Sequence, residues 1–295
     1  MRGLITAGGL GTRMGLSTKA TNKHLLPVYD VPMIMNSLRY LLRAGLQDVL
    51  IVSNPHQLWH FGEVLGDVSA LEAEFGHSVR IHYKKQENPT GGIGEVIKLA
   101  EEFCTIRDKR GQVIGKDDIT VVLGDNVFKD SDLLVDAAKG FNGGAVVFAK
   151  VIPEALLFQG NDEQGYTSRF GMISRKGDIV VKIEEKPRAT KGPDGKLRLS
   201  PEFENHEVLV GAYIFDSTCF DRIKTMKPSL RGQLEVTAIM QSYLDQGQLR
   251  VSSVQGWWSD CGNPDTLLLA SMLQYHMKGM SLDALYERVQ EILKE

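Results

Sequence analysis

Three glycines, an arginine and a lysine near the start of the chain are the residues best suited to chemistry. The segment runs Leu4-Ile-Thr-Ala-Gly8-Gly9-Leu-Gly11-Thr12-Arg13, and Lys23-His24-Leu-Leu-Pro27 follows it. Glycine lets a backbone turn tightly and approach an anion without a Cβ clash. Successive N–H groups in such a turn form an anion nest. Arg13 offers a rigid donor fork and Lys23 a compact charge. Together they suit the phosphates of a nucleoside triphosphate, with Gly8, Gly9, Gly11, Thr12, Arg13 and Lys23 as candidate nucleotide ligands.

Other phosphate loops fit less well. Gly9-Leu-Gly11 would open a dinucleotide fingerprint, with Asp30 as the later acid, but Met14 stands at the third glycine position. A Walker A loop would close on Gly-Lys-Ser/Thr, whereas this one closes on Gly15-Leu16-Ser17. The plain alternative is a glycine turn with solvated basic residues. Two aspartates stand out downstream. Asp125 follows the apolar run Ile119–Leu123, at the strand end where open α/β sheets bind ligands; Asp260 follows Trp257-Trp258-Ser259. Spacing alone does not show that they meet. A rival metal pair, His56 and His60, shares a helical face but lacks the glutamate of a His-Glu-x-x-His motif.

The elements that must position these residues follow from periodicity. Strands are predicted around Leu4-Ile5 and at 48–52, 79–83, 119–123, 143–151, 171–184, 208–215 and 249–254. Helices are predicted at 32–44, 57–65, 93–103, 235–246, 265–278 and 282–294. This alternation reads as a Rossmann-like, three-layer α/β fold with a mixed, mostly parallel central sheet. It is read as one domain over 1–295, with a loop or hairpin insertion at 187–205, marked by Pro187, Gly192, Pro193, Gly195 and Pro201, and a C-terminal helical segment at 265–295. The composition, 42% hydrophobic with a net charge of −3, supports a large core and argues against a nucleic-acid surface. Three dispersed cysteines, no signal-peptide pattern and no long apolar run point to a cytoplasmic protein with no membrane span.

Gly8-Gly-x-Gly-Thr-Arg13 with Lys23-x-Leu-Leu-Pro27 resembles the signature of the sugar-1-phosphate nucleotidylyltransferases. The pattern is closest to the glucose-1-phosphate thymidylyltransferases. Gly124-Asp-Asn-Val-Phe128, Glu184-Glu-Lys-Pro187, Val210-Gly-Ala-Tyr213, Arg231-Gly-Gln-Leu-Glu-Val-Thr237 and Trp258-Ser-Asp260-x-Gly262 continue the resemblance in family order to about residue 275. The resemblance implies Mg²⁺-dependent transfer of a nucleotidyl group from a triphosphate, dTTP favoured, to a sugar 1-phosphate, glucose 1-phosphate favoured, with release of pyrophosphate. It implies that Asp125 and Asp260 hold the Mg²⁺, that Gln86, Gly91 and Gly92 read the base, and that Gly171, Glu185, Lys186, Val210, Tyr213 and Arg231 surround the sugar phosphate. Trp258 reads as an apolar wall near the sugar or a support for Asp260. Arg13, Lys23, Asp125, Lys186 and Asp260 are then the catalytic set.

The chain departs from that pattern in places. Thr90 replaces the customary aspartate, Gly91-Gly92-Ile93 includes an extra residue, Glu95 stands where glutamine is frequent, and His24 replaces another glutamine. UTP or CTP therefore remains an alternative donor. Glu95 could accept from a sugar hydroxyl or base amino group, or be solvated; His24 could touch the nucleotide or only fill volume. A non-catalytic nucleotide-sugar-binding regulator and a dinucleotide-dependent oxidoreductase are the alternatives from other classes. The short segment after 275 departs from tetrameric relatives, so a homodimer is expected.

Overall fold

The computed structural model describes residues 1–161 and 165–294. Among the described residues, nine strands form the central sheet: β1 (Arg2–Ala7), β2 (Asp48–Ser53), β3 (Arg80–Lys85), β4 (Ile119–Leu123), β5 (Ala145–Val151), β6 (Met172–Lys176), β7 (Ile179–Glu184), β8 (Glu207–Phe215) and β9 (Leu249–Ser253). β1 pairs in parallel with β2 and β4, β2 with β3, and β5 with β9, while β8 runs antiparallel to both β4 and β5. The sheet is thus mixed and mostly parallel. Leu4, Ile5, Val49, Ile51, Val121 and Val122 are fully buried, as expected for strands covered on both faces.

Three loops leave the C-terminal ends of parallel strands at one edge of the sheet: Gly8 after β1, Gln86 after β3 and Gly124-Asp125 after β4. β8 runs the opposite way, its pairing with β4 joining Ala212 to Val122, so the preceding residues Leu209–Gly211 extend past the end of β4 to the same edge.

Tertiary pairing alters several of the expected elements. The 171–184 strand is a hairpin of β6 and β7, turning at Gly177 with φ +61°. The 93–103 helix is interrupted at Ala100 into Gly92–Leu99 and Glu101–Cys104. A helix at Ser69–Phe75 and a hairpin joining Thr105–Arg107 to Val113–Lys116 lack a strong periodic signal and were not anticipated. Residues 187–205 contain a hairpin, Arg188–Lys191 with Leu197–Arg198, and a short turn of helix at Pro201–Phe203.

Two helices close the chain, Pro264–Met277 and Leu282–Ile292; Glu295 lies outside the described residues. Asn263 and Thr266 form a reciprocal cap at the start of the first. That helix docks on the loop after Lys23. Ser271 Oγ accepts from Tyr29 N at 3.1 Å, the Tyr29 and Tyr275 rings meet edge to face at 5.4 Å, and Lys278 pairs with Asp30. Beneath lies a small apolar cluster of Val28, Met33, Val127, Cys261 and Ala270.

His24 belongs to this framework rather than to a ligand surface. It is 2% exposed, and Asn22 Oδ1 accepts from its backbone N at 2.9 Å and sits 2.6 Å from its Nδ1. The neutral ring therefore carries its proton on Nδ1. A Cβ on Gly124 would come within 2.8 Å of His24 Cδ2, so the bare glycine is what lets the imidazole fit under the β4 loop. Burial, reinforced by Lys23, lowers its pKa to about 3. An unfolded chain binds this proton below about pH 6.5 and the folded chain does not. Stability attributable to this group should therefore fall as pH drops from 6.5 towards 3, on the order of 2 kcal/mol by pH 5. Thermal melts of wild type and His24→Gln across pH 4–8 test this: the variant should lose less stability on acidification, and parallel curves would refute it.

Candidate active site

The sheet edge carries a cleft with two connected cavities. The inner one, about 160 Å³, is lined by Thr6, Gly8, Gly9, Gln86, Pro89, Gly92, Ile93, Val96 and Gln233. The other, about 240 Å³, brings together Arg13, Asp125, Gly171, Glu185, Lys186, Tyr213, Arg231, Trp258 and Asp260. Gly92, Ile93 and Gln233 border both.

The glycine loop forms the inner end. Gly9 and Gly11 take positive φ, +88° and +61°, a region closed to most side chains. Thr18 Oγ1 donates to Gly11 O at 3.1 Å, and Met14, 3% exposed, anchors the loop from below. Gln86 folds across the loop start: a Cβ on Gly8 would lie 2.0 Å from Gln86 Oε1. Thr12 and Arg13 are exposed. The Arg13 guanidinium lies at Gly262, within 3.1 Å of where a Cβ there would sit, and Asp260 Oδ2 lies within 2.9 Å of the same point.

The two aspartates meet through a short ribbon. Val127-Phe128 pairs antiparallel with Trp258-Ser259, which brings Asp125 and Asp260 to one cavity. Asn126 reinforces it: its Nδ2 donates to Asp125 Oδ1 at 2.8 Å, and its Oδ1 accepts from Trp258 Nε1 at 2.7 Å, across 132 residues. Trp258 also meets Phe170 edge to face at 5.1 Å, so it serves both as an apolar wall and as a strut between the aspartate loops. Lys23 forms an ion pair with Asp125. Burial pushes the Asp125 carboxyl up, but Lys23 and the nearby Arg13 outweigh it and hold the group below the usual carboxylate range. Asp260 is held by Arg169, at 2.8 and 3.0 Å.

Two carboxylates facing one cavity offer the hard oxygen donors that Mg²⁺ prefers, with waters and substrate phosphates completing a shell. No larger group of carboxylate, histidine or cysteine ligands exists among the described residues. The donor chemistry therefore fits a cation shared with a phosphate-bearing substrate better than a closed structural site.

At the outer end, Glu185 accepts from Arg231 Nη2 at 3.1 Å and from Thr237 Oγ1 at 3.2 Å; Arg231 also reaches Glu235 at 2.9 Å. Burial and the neighbouring Glu235 raise the Glu185 pKa. Lys186 adopts φ +49°, and burial together with Arg231 lowers its pKa. Its ammonium has no hydrogen-bond or ion-pair partner among the described residues, unlike Lys23, which is committed to Asp125. Gly171 lies against Leu209, Thr237 and Glu185, where a Cβ would come within 3.2 Å of each.

Several expected residues stand elsewhere. Strand alternation turns the Val210 side chain into the core behind the sheet, while Leu209, Gly211 and Tyr213 line the cavity. Gly91 is buried outside both cavities, its carbonyl accepting from Leu234 N at 2.9 Å; Gly92 takes the cleft position. Glu95 faces a separate outer groove with Lys84 and Lys98, and accepts from Asn88 at 3.2 Å. It packs over Gly91 and lines neither cavity of the cleft. His56 lies outside both cavities, His60 Nδ1 is buried with no hydrogen-bond partner among the described residues, and no group of three or more potential metal ligands forms around the pair among those residues.

Sequence reasoning missed Arg169, Leu209, Gln233, Glu235 and Thr237 as lining residues, and Asn126 as a strut. Asn126, Gln233, Glu235 and Thr237 lie inside motifs already recognised. Arg169 has no such signal, since it arrives from a loop outside them.

Comparison with known proteins shows the family. Residues 2–276 match the nucleotidyl transferase family model. A glucose-1-phosphate thymidylyltransferase of Mycolicibacterium smegmatis is 33% identical, covering 92% of this chain and 81% of the relative. One from Neisseria meningitidis is 33% identical, covering 90% and 80%. A Bacillus anthracis structure, described as a candidate glucose-1-phosphate thymidylyltransferase in complex with sucrose, superposes with TM-score 0.70 at 32% identity over 92% of this chain and 94% of that one. A UDP-glucose pyrophosphorylase complexed with UDP-glucose shares the fold, with TM-score 0.71 at 17% identity over 94% and 98%. With its glycine loop, paired aspartates and Glu-Lys corner on this framework, the chain belongs to the nucleotidyl transferase family, among its sugar-1-phosphate nucleotidylyltransferases.

Proposed function

We propose that the protein transfers a thymidylyl group from dTTP to glucose 1-phosphate, releasing pyrophosphate. The observation that carries this reading is the two-ended cleft. A glycine loop and a buried glutamine lie at one end, a lysine with no ion-pair partner among the described residues beside a carboxylate at the other, and two aspartates line the same cleft. The thymidylyltransferase relatives at 33% identity support the choice of substrates. Gln86 supplies an amide edge for the pyrimidine, and Pro89, Ile93 and Val96 supply apolar surface suited to a 5-methyl group.

In this reading an ionised oxygen of the sugar phosphate attacks the α phosphorus, the bond to the bridging oxygen breaks, and pyrophosphate leaves in line. The nucleophile is already ionised near neutral pH, so no strong general base is required. Lys186 binds the sugar phosphate, and Glu185 accepts from sugar hydroxyls. The loop N–H groups, Arg13 and Lys23 orient the triphosphate and neutralise its charge. Asp125 and Asp260 would hold a Mg²⁺, which when bound supplies further charge neutralisation on the phosphates.

The direct test measures pyrophosphate release with dTTP, UTP, CTP, GTP and ATP, each against the 1-phosphates of glucose, N-acetylglucosamine, galactose and mannose. The dTTP and glucose 1-phosphate pair should have the highest kcat/KM. A higher value with UTP or CTP would overturn the base assignment, and no pyrophosphate from any pair would overturn the activity.

Two variants probe the roles. Asp260→Asn should lower turnover by about a hundredfold or more while leaving the melting temperature within a few degrees of wild type. Unchanged turnover at saturating nucleotide and Mg²⁺ rejects its metal role. Lys186→Ala should raise KM for the sugar phosphate by about tenfold or more, with a smaller effect on KM for the nucleotide. Equal changes in both would refute the assignment.

A further inference from the structure

Arg169 occupies a position that no recognised motif accounts for. Its Nη2 lies 2.8 Å from Oδ2 and 3.0 Å from Oδ1 of Asp260, and both side chains are nearly buried, at 11% and 16% exposure. The arginine is anchored independently of the aspartate. Its backbone N donates to Leu157 O at 2.8 Å, its Nη1 to Leu156 O at 3.4 Å, and its guanidinium lies 5.1 Å from the Phe170 ring centroid. It also lines the same cavity as Asp125, Lys186 and Trp258.

A carboxylate that offers both oxygens to one guanidinium nitrogen has already met its need for positive charge. A divalent cation that approaches this same edge and takes both oxygens meets the lone pairs that face Arg169, so there cation and arginine compete for one carboxylate. Because Arg169 is tethered by Leu156, Leu157 and Phe170, it can release Asp260 without leaving the cavity wall. We propose that Arg169 is a positioning residue that holds Asp260 towards the cavity and yields it to an arriving divalent cation. This rests on the reading of Asp260 as a metal-holding residue. The cation's affinity for the free enzyme is then set partly by the ion pair it must break.

The test is a titration of the ligand-free full-length protein with Mn²⁺ alone, read by the electron paramagnetic resonance signal of free Mn²⁺, with thermal melts in EDTA alongside. Arg169→Gln removes the competitor and should tighten Mn²⁺ binding about tenfold, the size appropriate to a pair between an exposed bridge and a fully buried one. Arg169→Lys keeps the charge and loses the fork; it should tighten binding by a smaller factor and serves if the glutamine variant fails to fold. A purely structural arginine would lower the melting temperature and leave Mn²⁺ affinity unchanged. Unchanged or weakened affinity in the folded Arg169 variants, with binding lost in Asp260→Asn, overturns the competition while sparing the metal role of Asp260. Wild-type Mn²⁺ affinity in Asp260→Asn overturns that role and this proposal together.

Discussion

The site depends on a ribbon of two residues against two. Val127-Phe128 and Trp258-Ser259 come from distant parts of the chain, and their pairing places Asp125 and Asp260 on one cavity. So short a ribbon is not stable alone. It is held by the Asn126 amide, which bonds to Asp125 on one side and Trp258 on the other, and by Phe170 against the indole. Below it, the capped helix Pro264–Met277 packs over Val28, Met33, Val127 and Cys261. That helix also grips the loop after Lys23 through Tyr29 and Asp30. The C-terminal part of the chain therefore sets the geometry of residues at its beginning.

The cleft stores charge in pairs. Lys23 faces Asp125, Arg169 faces Asp260, and Arg231 faces Glu185 and Glu235. Pairing is what makes several half-buried ions tolerable, since an isolated buried charge would be strongly penalised. Arg13 and Lys186 depart from this pattern, with no ion-pair partner among the described residues; Arg13 is exposed, whereas Lys186 is half-buried and its pKa is lowered by burial and by Arg231. A cation left in that condition gains most from an incoming anion. Its left-handed backbone, at φ +49°, is an uncommon conformation for a lysine. Such strain gathers where a surrounding structure dictates the direction of a functional side chain.

Close backbone approach is the other constraint. Gln86 lies across Gly8 with no room for a methyl group, and His24 fits beneath Gly124 on the same terms. One contact forms the floor of the inner cavity. The other fastens the Lys23 segment to the end of β4. The same residue type thus shapes a cavity in one place and the framework in another, and spacing alone does not distinguish the two.

The sequence by itself determined the fold class and the place of the glycine loop at the end of the first strand. Apolar runs such as 48–52 and 119–123 must be buried on both faces, and a glycine loop at the end of such a run has the backbone freedom that an anion nest needs. The recognised motifs also contained most of the cleft, including Asn126, Gln233 and Thr237, whose places were not assigned. What remained illegible depended on direction and on partners. The family resemblance put Val210 around the sugar phosphate, but the alternation of β8 turns its side chain into the core and presents Leu209 instead. In the loop after β3, Gly92 lines the cleft while Gly91 is bonded to Leu234, and Glu95 turns to the outer groove. Arg169 reaches Asp260 from a loop with no pattern of its own. Residue types and periodicity are local properties of a chain; which face a strand shows and which charge meets which carboxylate arise only when distant segments pack, and tertiary structure alone decided them.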